Sequence, residues 1–184
     1  MDEFRLAFAT AVIEANPVKF FGGILVVDPS SDPLELRCTS PVQPLPIQQI
    51  LWGQRLKRYI LTELLLIPLV NALESRPDLV LTQDPDFLGA REGMSVPLLC
   101  VSESSVETPA HDDEHAIVFS DPLNPSRWIC LNSANGYVED LDSGRRLVET
   151  FARACFPLEP FRRVEEALKA LKSKLESRTA ATGK

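Results

Sequence analysis

Three aspartates are the first candidates for chemistry, because apolar runs of the sequence end three times in the same Asp-Pro dipeptide. The dipeptides begin at Asp28, Asp84 and Asp121. Aspartates at strand ends can meet at one edge of a sheet and hold Mg²⁺ or Mn²⁺ through their carboxylate oxygens. Glu63, inside an apolar helical pattern, and Asp86 are further candidate ligands. The same dipeptide also ends strands for structural reasons, since Asp accepts backbone hydrogen bonds and Pro cannot continue a β-ladder. Turn chemistry alone favours the structural interpretation.

Both histidines of the chain fall in one acidic segment. His111 and His115 are four residues apart with only carboxylates between them, a spacing that could bind a transition metal if the segment were helical. Pro109 and the density of like charges predict a loop instead, and there is no HExxH order that would supply a general base. Residues 102–115 are therefore predicted to form an exposed acidic loop with little order.

The four cysteines are predicted to be reduced thiols. Cys100, Cys130 and Cys155 lie within apolar runs, Cys38 stands apart from them, and no CxxC pair is present. Structural zinc sites present their ligands in closely spaced pairs, and disulfide scaffolds belong to short secreted chains. Both histidines lie in the acidic segment, so Cys-His catalysis is disfavoured.

The periodicity of apolar residues predicts a mixed α/β fold. A period of two indicates strands, and spacings of three and four indicate helices. The predicted strands are 4–12, 20–27, 34–38, 79–82, 96–101, 116–120 and 128–131. The predicted helices are 47–52, 54–75, one that Asp142 or Ser143 caps and that runs to residue 156, and 161–176. Residues 137–141 either pair as a strand or begin a helix. Pro68 should kink the long helix near Leu64. The Gly22-Gly23 pair lacks the following helix that a phosphate-binding glycine loop needs, so it predicts a bulge or a close packing contact.

The predicted sheet is mixed and opens with a three-stranded antiparallel meander, and the long helix and the C-terminal helices cover it. This β-β-β-α-β order resembles a ribonuclease H-like layout. A nuclease of that type would need a carboxylate in its first strand. Residues 4–12 contain none, and Glu14 follows only afterwards. The resemblance concerns topology, and topology alone does not predict an enzyme.

The last helix carries the clearest surface signal of the sequence. Its apolar residues recur at spacings of three and four, with charged residues on the remaining surface, and they are Phe161, Val164, Leu168, Leu171 and Leu175. This stripe either packs on the protein's own sheet or binds a protein partner. The predicted organisation is a mixed α/β domain over residues 1–157, this amphipathic helix over 158–176 and a disordered tail over 177–184.

Charge and composition narrow the classes of function. The 184 residues carry a net charge of −7, and 45% of them are apolar. Residues 1–157 hold 22 acidic and 12 basic side chains, whereas the remainder hold 4 and 7. An acidic body disfavours direct contact with nucleic acid. A cytoplasmic protein is expected, because no signal peptide opens the chain and no stretch is apolar enough to span a bilayer.

Two functions remain open. The leading hypothesis is a non-enzymatic accessory or adaptor subunit of an intracellular assembly, which binds a protein partner or a second copy through apolar helix surface and needs no cofactor. The alternative is a nuclease or phosphodiesterase of ribonuclease H-like type, which would hold Mg²⁺ or Mn²⁺ with the carboxylates of Asp28, Glu63, Asp84 and Asp86.

Overall fold

The computed structural model describes residues 3–105 and 114–182, the side chains of 175–182 excepted. Within these residues the strands are β1 (Leu6–Ala15), β2 (Val18–Val27), β3 (Pro33–Cys38), β4 (Leu79–Thr82), β5 (Leu98–Ser104), β6 (Ala116–Asp121) and β7 (Asn124–Ser133). The helices are α1 (Pro46–Trp52), α2 (Arg55–Tyr59), α3 (Ile67–Asn71), α4 (Glu139–Phe151) and α5 (Glu159–Thr182). A π-helical segment (Ile60–Leu66) joins α2 to α3, and a 3₁₀ segment (Pro85–Gly93) follows β4.

The strands form one mixed sheet in the order β3-β2-β1-β4-β5-β7-β6. β2 is antiparallel to both β1 and β3, which forms the predicted meander. β1, β4 and β5 are parallel to one another, and β7 is antiparallel to β5 and β6. The predicted mixed α/β fold with a ribonuclease H-like layout is confirmed. Because β1 and β4 run in the same direction, their carboxyl ends lie at the same edge of the sheet.

Side chains of the central strands alternate between two hydrophobic cores, one on each face of the sheet. Leu6 and Phe8 of β1 belong to the core that α4 and α5 cover. Ala7 and Ala9 belong to the opposite core, which the continuous helical run of residues 55–71 covers. Strands that are buried on both faces consist of nearly uninterrupted apolar residues, as the sequence of β2 does. Helices therefore cover both faces of the sheet.

The long helix is irregular at the place where the sequence has a proline. Residues 55–59 and 67–71 are α-helical, whereas 60–66 are π-helical. Pro68 has no N–H, and its ring crowds the carbonyl of Leu64. The backbone forms a wider turn before it, in which the N–H of Ile67 donates to the carbonyl of Thr62. At the place of the predicted kink the structure therefore has a π-helical segment.

The long helix ends at Asn71, earlier than the predicted residue 75. The backbone N–H groups of Glu74 and Ser75 donate to the Glu35 carboxylate of β3 at 3.1 and 2.7 Å. The hydrogen bond from Ser75 above all, together with the Arg37 guanidinium, lowers the pKa of Glu35 to about 2. The Glu35 carboxylate therefore binds the backbone N–H groups that follow the end of the helix.

Gly22 and Gly23 allow helices to approach β2 from both faces. A Cβ on Gly22 would lie 3.0 Å from the Cβ of Leu65, and a Cβ on Gly23 would lie 2.8 Å from Cγ1 of Val164. The glycine pair is therefore a close packing contact, one of the two interpretations that the sequence allowed. Larger side chains here would push the π-helical segment or α5 away from the sheet.

The apolar stripe of α5 packs on the protein's own sheet. Phe161, Val164 and Leu168 are buried in the core that they share with β1 and β2. Leu171 is 42% exposed, and the side chain of Leu175 lies outside the described residues. Assigning the stripe to a protein partner is therefore wrong for its three buried members, whose apolar surface is already covered by strands. The helix continues to Thr182, past its predicted end at residue 176.

Two further expectations concern the membrane and the acidic loop. In the described ranges, no helix is long and apolar enough to cross a membrane. Residues 106–113, which hold His111 and much of the predicted loop 102–115, lie outside the described residues. The lack of order in that loop therefore stays a prediction.

Candidate functional site

Asp84 lies just after β4, whose last residue, Thr82, pairs with Ala9 in the middle of β1. It begins the 3₁₀ segment, because its Oδ1 accepts the backbone N–H of Asp86 at 3.0 Å. Pro85, between them, suits the first position of a helical turn, where no N–H is needed. This turn places two carboxylates side by side at the edge of the sheet.

Lys57 of α2 bridges these two carboxylates. Its Nζ lies 2.6 Å from Oδ2 of Asp84 and 2.8 Å from Oδ2 of Asp86. The hydrogen bonds to Asp84 and Asp86 raise the pKa of Lys57, which is therefore charged at neutral pH. The three side chains have exposed fractions between 33% and 41%. A ligand from solvent can consequently reach both acids and the cation between them.

These residues line an open cavity of about 460 Å³, which we call the Asp84 cavity. Its wall comes from the middle of β1, the turn after β4, α2 and α5, with the side chains of Thr10, Lys57, Asp84, Asp86 and Glu165 among them. Glu165 adds a third carboxylate, 40% exposed and 3.9 Å from Nζ of Lys169. Sequence reasoning missed Glu165, because nothing distinguishes it from Glu166 until the orientation of α5 on the sheet is known.

The first strand, all of which is described, supplies no carboxylate to the Asp84 cavity. Thr10 lines the cavity instead and is 8% exposed. Its hydroxyl can donate one hydrogen bond and accept others. Glu14 lies within β1, which extends to Ala15, and forms an ion pair with Lys172 of α5. The expectation that Glu14 follows the first strand is therefore wrong, although residues 6–13 of that strand carry no acid.

Asp84 and Asp86 fit a small divalent cation. Their Oδ2 atoms already converge on one positive charge, the ammonium group of Lys57. Mg²⁺ is commonly bound by one or two protein carboxylates and completes its coordination with water and substrate phosphates. In the part of the chain that the structure describes, no group of three or more His, Cys, Asp or Glu side chains could hold a metal ion. Water and substrate would therefore have to supply the remaining ligands.

Two of the four predicted acidic residues lie away from this cavity. Asp28 follows β2, and because β2 is antiparallel to β1 it lies at the opposite edge of the sheet, about 20 Å from Asp84 at a rise of about 3.3 Å per residue. Its Oδ1 accepts the N–H groups of Ser30 and Asp32, which shapes a turn. Glu63 is exposed on the π-helical segment and does not line the cavity. Neither residue belongs to the site, which corrects the assignment made from the sequence.

The third Asp-Pro aspartate has a structural role. Asp121 is fully buried and forms an ion pair with Arg127. It also accepts the backbone N–H of Leu123 at 2.9 Å. These contacts stabilise the turn between β6 and β7, so Asp121 ends its strand for the structural reason that the dipeptide suggests.

A buried ion pair holds the 3₁₀ segment that carries Asp86. Nε of Arg91 lies 2.5 Å from Oδ2 of Asp140, and Nη2 lies 3.1 Å from Oδ1. Asp140, only 3% exposed, also accepts the backbone N–H of Leu98 at 3.2 Å. The two-pronged contact of a guanidinium with a carboxylate is geometrically specific. It ties the segment to α4 and β5 and so positions one wall of the Asp84 cavity.

Cys38, Cys100 and Cys155 are free thiols, and Cys100 lies near the cavity. Cys100 of β5 pairs with Thr82 of β4. Burial, and to a smaller extent the charges of Asp84 and Cys130, raise the pKa of Cys100 to about 11. The thiol is therefore protonated at neutral pH and is a poor nucleophile.

No family model matches the sequence, and no curated protein matches it. Solved structures do match. Endonuclease V from Bacillus subtilis has a TM-score of 0.58 at 14% identity, over 97% of this chain and 84% of that chain. Endonuclease V from Streptomyces avermitilis has a TM-score of 0.59 at 15% identity, over 93% of this chain and 82% of that chain. Endonuclease V from Ciona intestinalis, in complex with a 24mer DNA containing an inosine followed by a ribo-adenosine, has a TM-score of 0.50 at 11% identity, over 95% of this chain and 88% of that chain. The chain shares the fold of endonuclease V.

These similar structures overturn the leading interpretation of the sequence. The hypothesis of a non-enzymatic accessory or adaptor subunit is wrong, and the nuclease alternative agrees better with the comparison. The expectation of no cofactor depended on the adaptor hypothesis and falls with it. The expectation that nucleic acid is not a partner is also wrong, since this fold occurs in complex with DNA. That expectation rested on net charge, which averages over the whole surface and hides a local basic patch.

Proposed function

We propose that this protein is a divalent-metal-dependent nuclease that cleaves phosphodiester bonds of nucleic acid at the Asp84 cavity. The observation that carries the proposal is the convergence of Asp84 and Asp86 on one position at the carboxyl end of β4, beside the middle of β1. In open α/β sheets, ligands bind in the crevice outside the carboxyl ends of the strands. The fold shared with endonuclease V supports the same class of chemistry.

Asp84 and Asp86 would hold Mg²⁺ or Mn²⁺. A bound ion would stabilise negative charge on the phosphate oxygens and lower the pKa of a water molecule bound to it. Thr10 offers a hydroxyl that can donate to a phosphate oxygen. Glu165 offers a carboxylate that can accept a proton from water. The protein holds these groups on a strand, a turn that the Arg91 ion pair fixes, and a helix packed on the sheet.

Helices α1 and α2 give the acidic protein a local surface suited to nucleic acid. Three basic residues occur within the five residues of α2, namely Arg55, Lys57 and Arg58. The rings of Trp52 and Tyr59 lie 4.7 Å apart, and these residues are 46% and 37% exposed. Basic side chains bind phosphates, and exposed aromatic rings stack with unpaired bases. Because Lys57 also lines the Asp84 cavity, a strand bound on this surface would lead into the site.

We place the protein in the cytoplasm. Cys38 and Cys155 are free thiols, although both are only partly buried. A reducing compartment keeps accessible thiols in this state.

Cleavage of labelled oligonucleotides by the purified protein tests the proposal. The substrates are single-stranded DNA, duplex DNA, RNA and a DNA strand that contains inosine, each incubated with Mg²⁺, Mn²⁺ or EDTA. We expect at least one substrate to be cut in the presence of a metal and not in EDTA, and Asp86→Asn to lower that rate at least about tenfold. If folded protein cuts none of the substrates with either metal, the proposal is wrong.

A further inference from the structure

Lys57 lies at the position that a bound cation would take. Its ammonium contacts Oδ2 of Asp84 and Oδ2 of Asp86, and the two distances differ by only a small amount, 2.6 against 2.8 Å. The other oxygen of Asp84 is engaged, because Oδ1 accepts the backbone N–H of Asp86 at 3.0 Å. A divalent cation that binds both carboxylates must therefore compete with Lys57 for the same two oxygen atoms.

We propose that Lys57 is a built-in counter-ion that holds the metal position of the Asp84 cavity until a divalent cation displaces it. This inference rests on the proposed function, because it gives Lys57 a role toward the same metal. An ammonium and a divalent cation repel each other strongly at contact distance from one pair of carboxylates. One site cannot therefore hold both, and metal binding includes the free energy of separating Lys57 from Asp84 and Asp86.

The structure gives Lys57 a route out of the cavity. Its side chain is 41% exposed, and four rotatable methylene groups carry the charge on a flexible stem. Asp84 and Asp86 are 33% and 40% exposed, so solvent can replace the ammonium as it leaves. The released ammonium stays at the mouth of the cavity on α2, where it can bind a phosphate as a point charge.

Lys57 therefore lowers the affinity of the site for a divalent cation below the affinity that the two carboxylates alone would have. In the metal-free protein, Lys57 compensates the repulsion between two carboxylates that share one turn. Removing this lysine removes the competitor and leaves the two acids facing each other. Both effects increase the affinity for a divalent cation, so the substitution should strengthen metal binding rather than weaken it.

Calorimetric titration with Mn²⁺ alone tests the inference on the full chain. Lys57→Gln should bind Mn²⁺ at least about tenfold more tightly than the wild type, within the range of ordinary coupling between two sites. Arg55→Gln is the matched control, since it removes the same charge from an exposed position of the same helix that does not line the cavity. Its Mn²⁺ affinity should stay within about twofold of the wild type. Adding Asp84→Asn to Lys57→Gln should abolish the gain.

The outcomes separate this inference from the proposed function. If wild type and Lys57→Gln bind Mn²⁺ equally, or the variant binds more weakly, the counter-ion role is wrong and the nuclease proposal stands. If neither protein binds Mn²⁺, both proposals fail. Binding by Lys57→Gln with a silent wild type would show that no divalent cation displaces Lys57, which contradicts both the displacement and the metal-dependent nuclease. Thermal melts of each variant establish that the titrated protein is folded.

Discussion

Replacing Leu168 by Asp tests whether α5 belongs to the core of the protein. Leu168 is 4% exposed, and its methyl carbons lie 3.1 and 3.2 Å from the place that a Cβ on Gly23 would take. Leu171, on the same helix, is 42% exposed. The variants Leu168→Asp and Leu171→Asp therefore introduce the same charge at a buried and at an exposed position of one helix.

The expected destabilisation follows from burial. Loss of a buried leucine costs about 2–5 kcal/mol, and a carboxyl group without a partner in that position adds about 1–3 kcal/mol. A total near 5 kcal/mol is a large part of the stability of an ordinary domain, about 5–15 kcal/mol. It should lower the melting temperature of Leu168→Asp by about 10–20 °C. Leu171→Asp should change the free energy of unfolding by no more than about 0.5 kcal/mol.

Thermal melts followed by circular dichroism measure this difference, and size-exclusion chromatography reports the assembly state of each variant. We expect a large fall in melting temperature for Leu168→Asp only, with no change of assembly in Leu171→Asp. The opposite result, an unchanged melting temperature together with a lost assembly in Leu168→Asp, would show that the stripe binds a partner and that α5 does not pack on the sheet.

Three other substitutions or reactions have defined outcomes. Asp140→Ala leaves the Arg91 guanidinium without its carboxylate and should lower the free energy of urea unfolding by about 3–5 kcal/mol; equal stability would contradict the buried ion pair. The pKa of Glu35 is lowered from 4.5 to about 2, above all by the hydrogen bond from the backbone N–H of Ser75. The ionised carboxylate therefore stabilises the folded protein fully above pH 4.5, and this stabilisation is lost as the pH falls toward 2. The melting temperature of Glu35→Gln should accordingly vary less than that of the wild type over this window, and parallel profiles would refute the assignment. Cys100, with its pKa raised to about 11, should resist alkylation at pH 8, and rapid labelling found by mass spectrometry would contradict its burial.

Part of the candidate site could be predicted from the sequence. Asp84 and Asp86 follow an apolar run with a turn signal, and the structure places both just after the carboxyl end of β4. The same dipeptide at Asp28 was misleading, because a dipeptide does not show in which direction its strand runs. Since β2 is antiparallel to β1, Asp28 lies at the opposite edge. Strand direction in the sheet decides which aspartates can meet.

Lys57 and Glu165 could not be predicted as members of the site. Each lies on a helix, and its contact with the cavity depends on how that helix docks on the sheet. Helical periodicity identifies an apolar face but does not show what covers it, which is why the stripe of α5 allowed two interpretations. The glycine at position 23 was the available signal, because an absent side chain on a central strand permits a helix to approach closely.

The fold was more predictable than the function. Period-two alternation and the turn residues between β2 and β3 were sufficient for the meander, and connection rules led from it to a ribonuclease H-like order. Net charge misled the functional interpretation. The chain carries −7 overall, yet the five residues of α2 include three bases and no acid. Binding of a polyanion depends on such a local patch rather than on the total charge.

The central claim is that Asp84 serves a metal-dependent nuclease, and a comparison of Asp84→Asn with Asp28→Asn tests it most directly. Each variant exchanges the aspartate of an Asp-Pro dipeptide for its amide, whose oxygen can still accept the hydrogen bonds of the local turn. Only Asp84→Asn removes a charge from the cavity. On the oligonucleotide that the wild type cuts best in Mn²⁺, the cleavage rate should fall at least about 100-fold in Asp84→Asn and stay within about twofold in Asp28→Asn. Cleavage by Asp84→Asn at the wild-type rate would contradict the account.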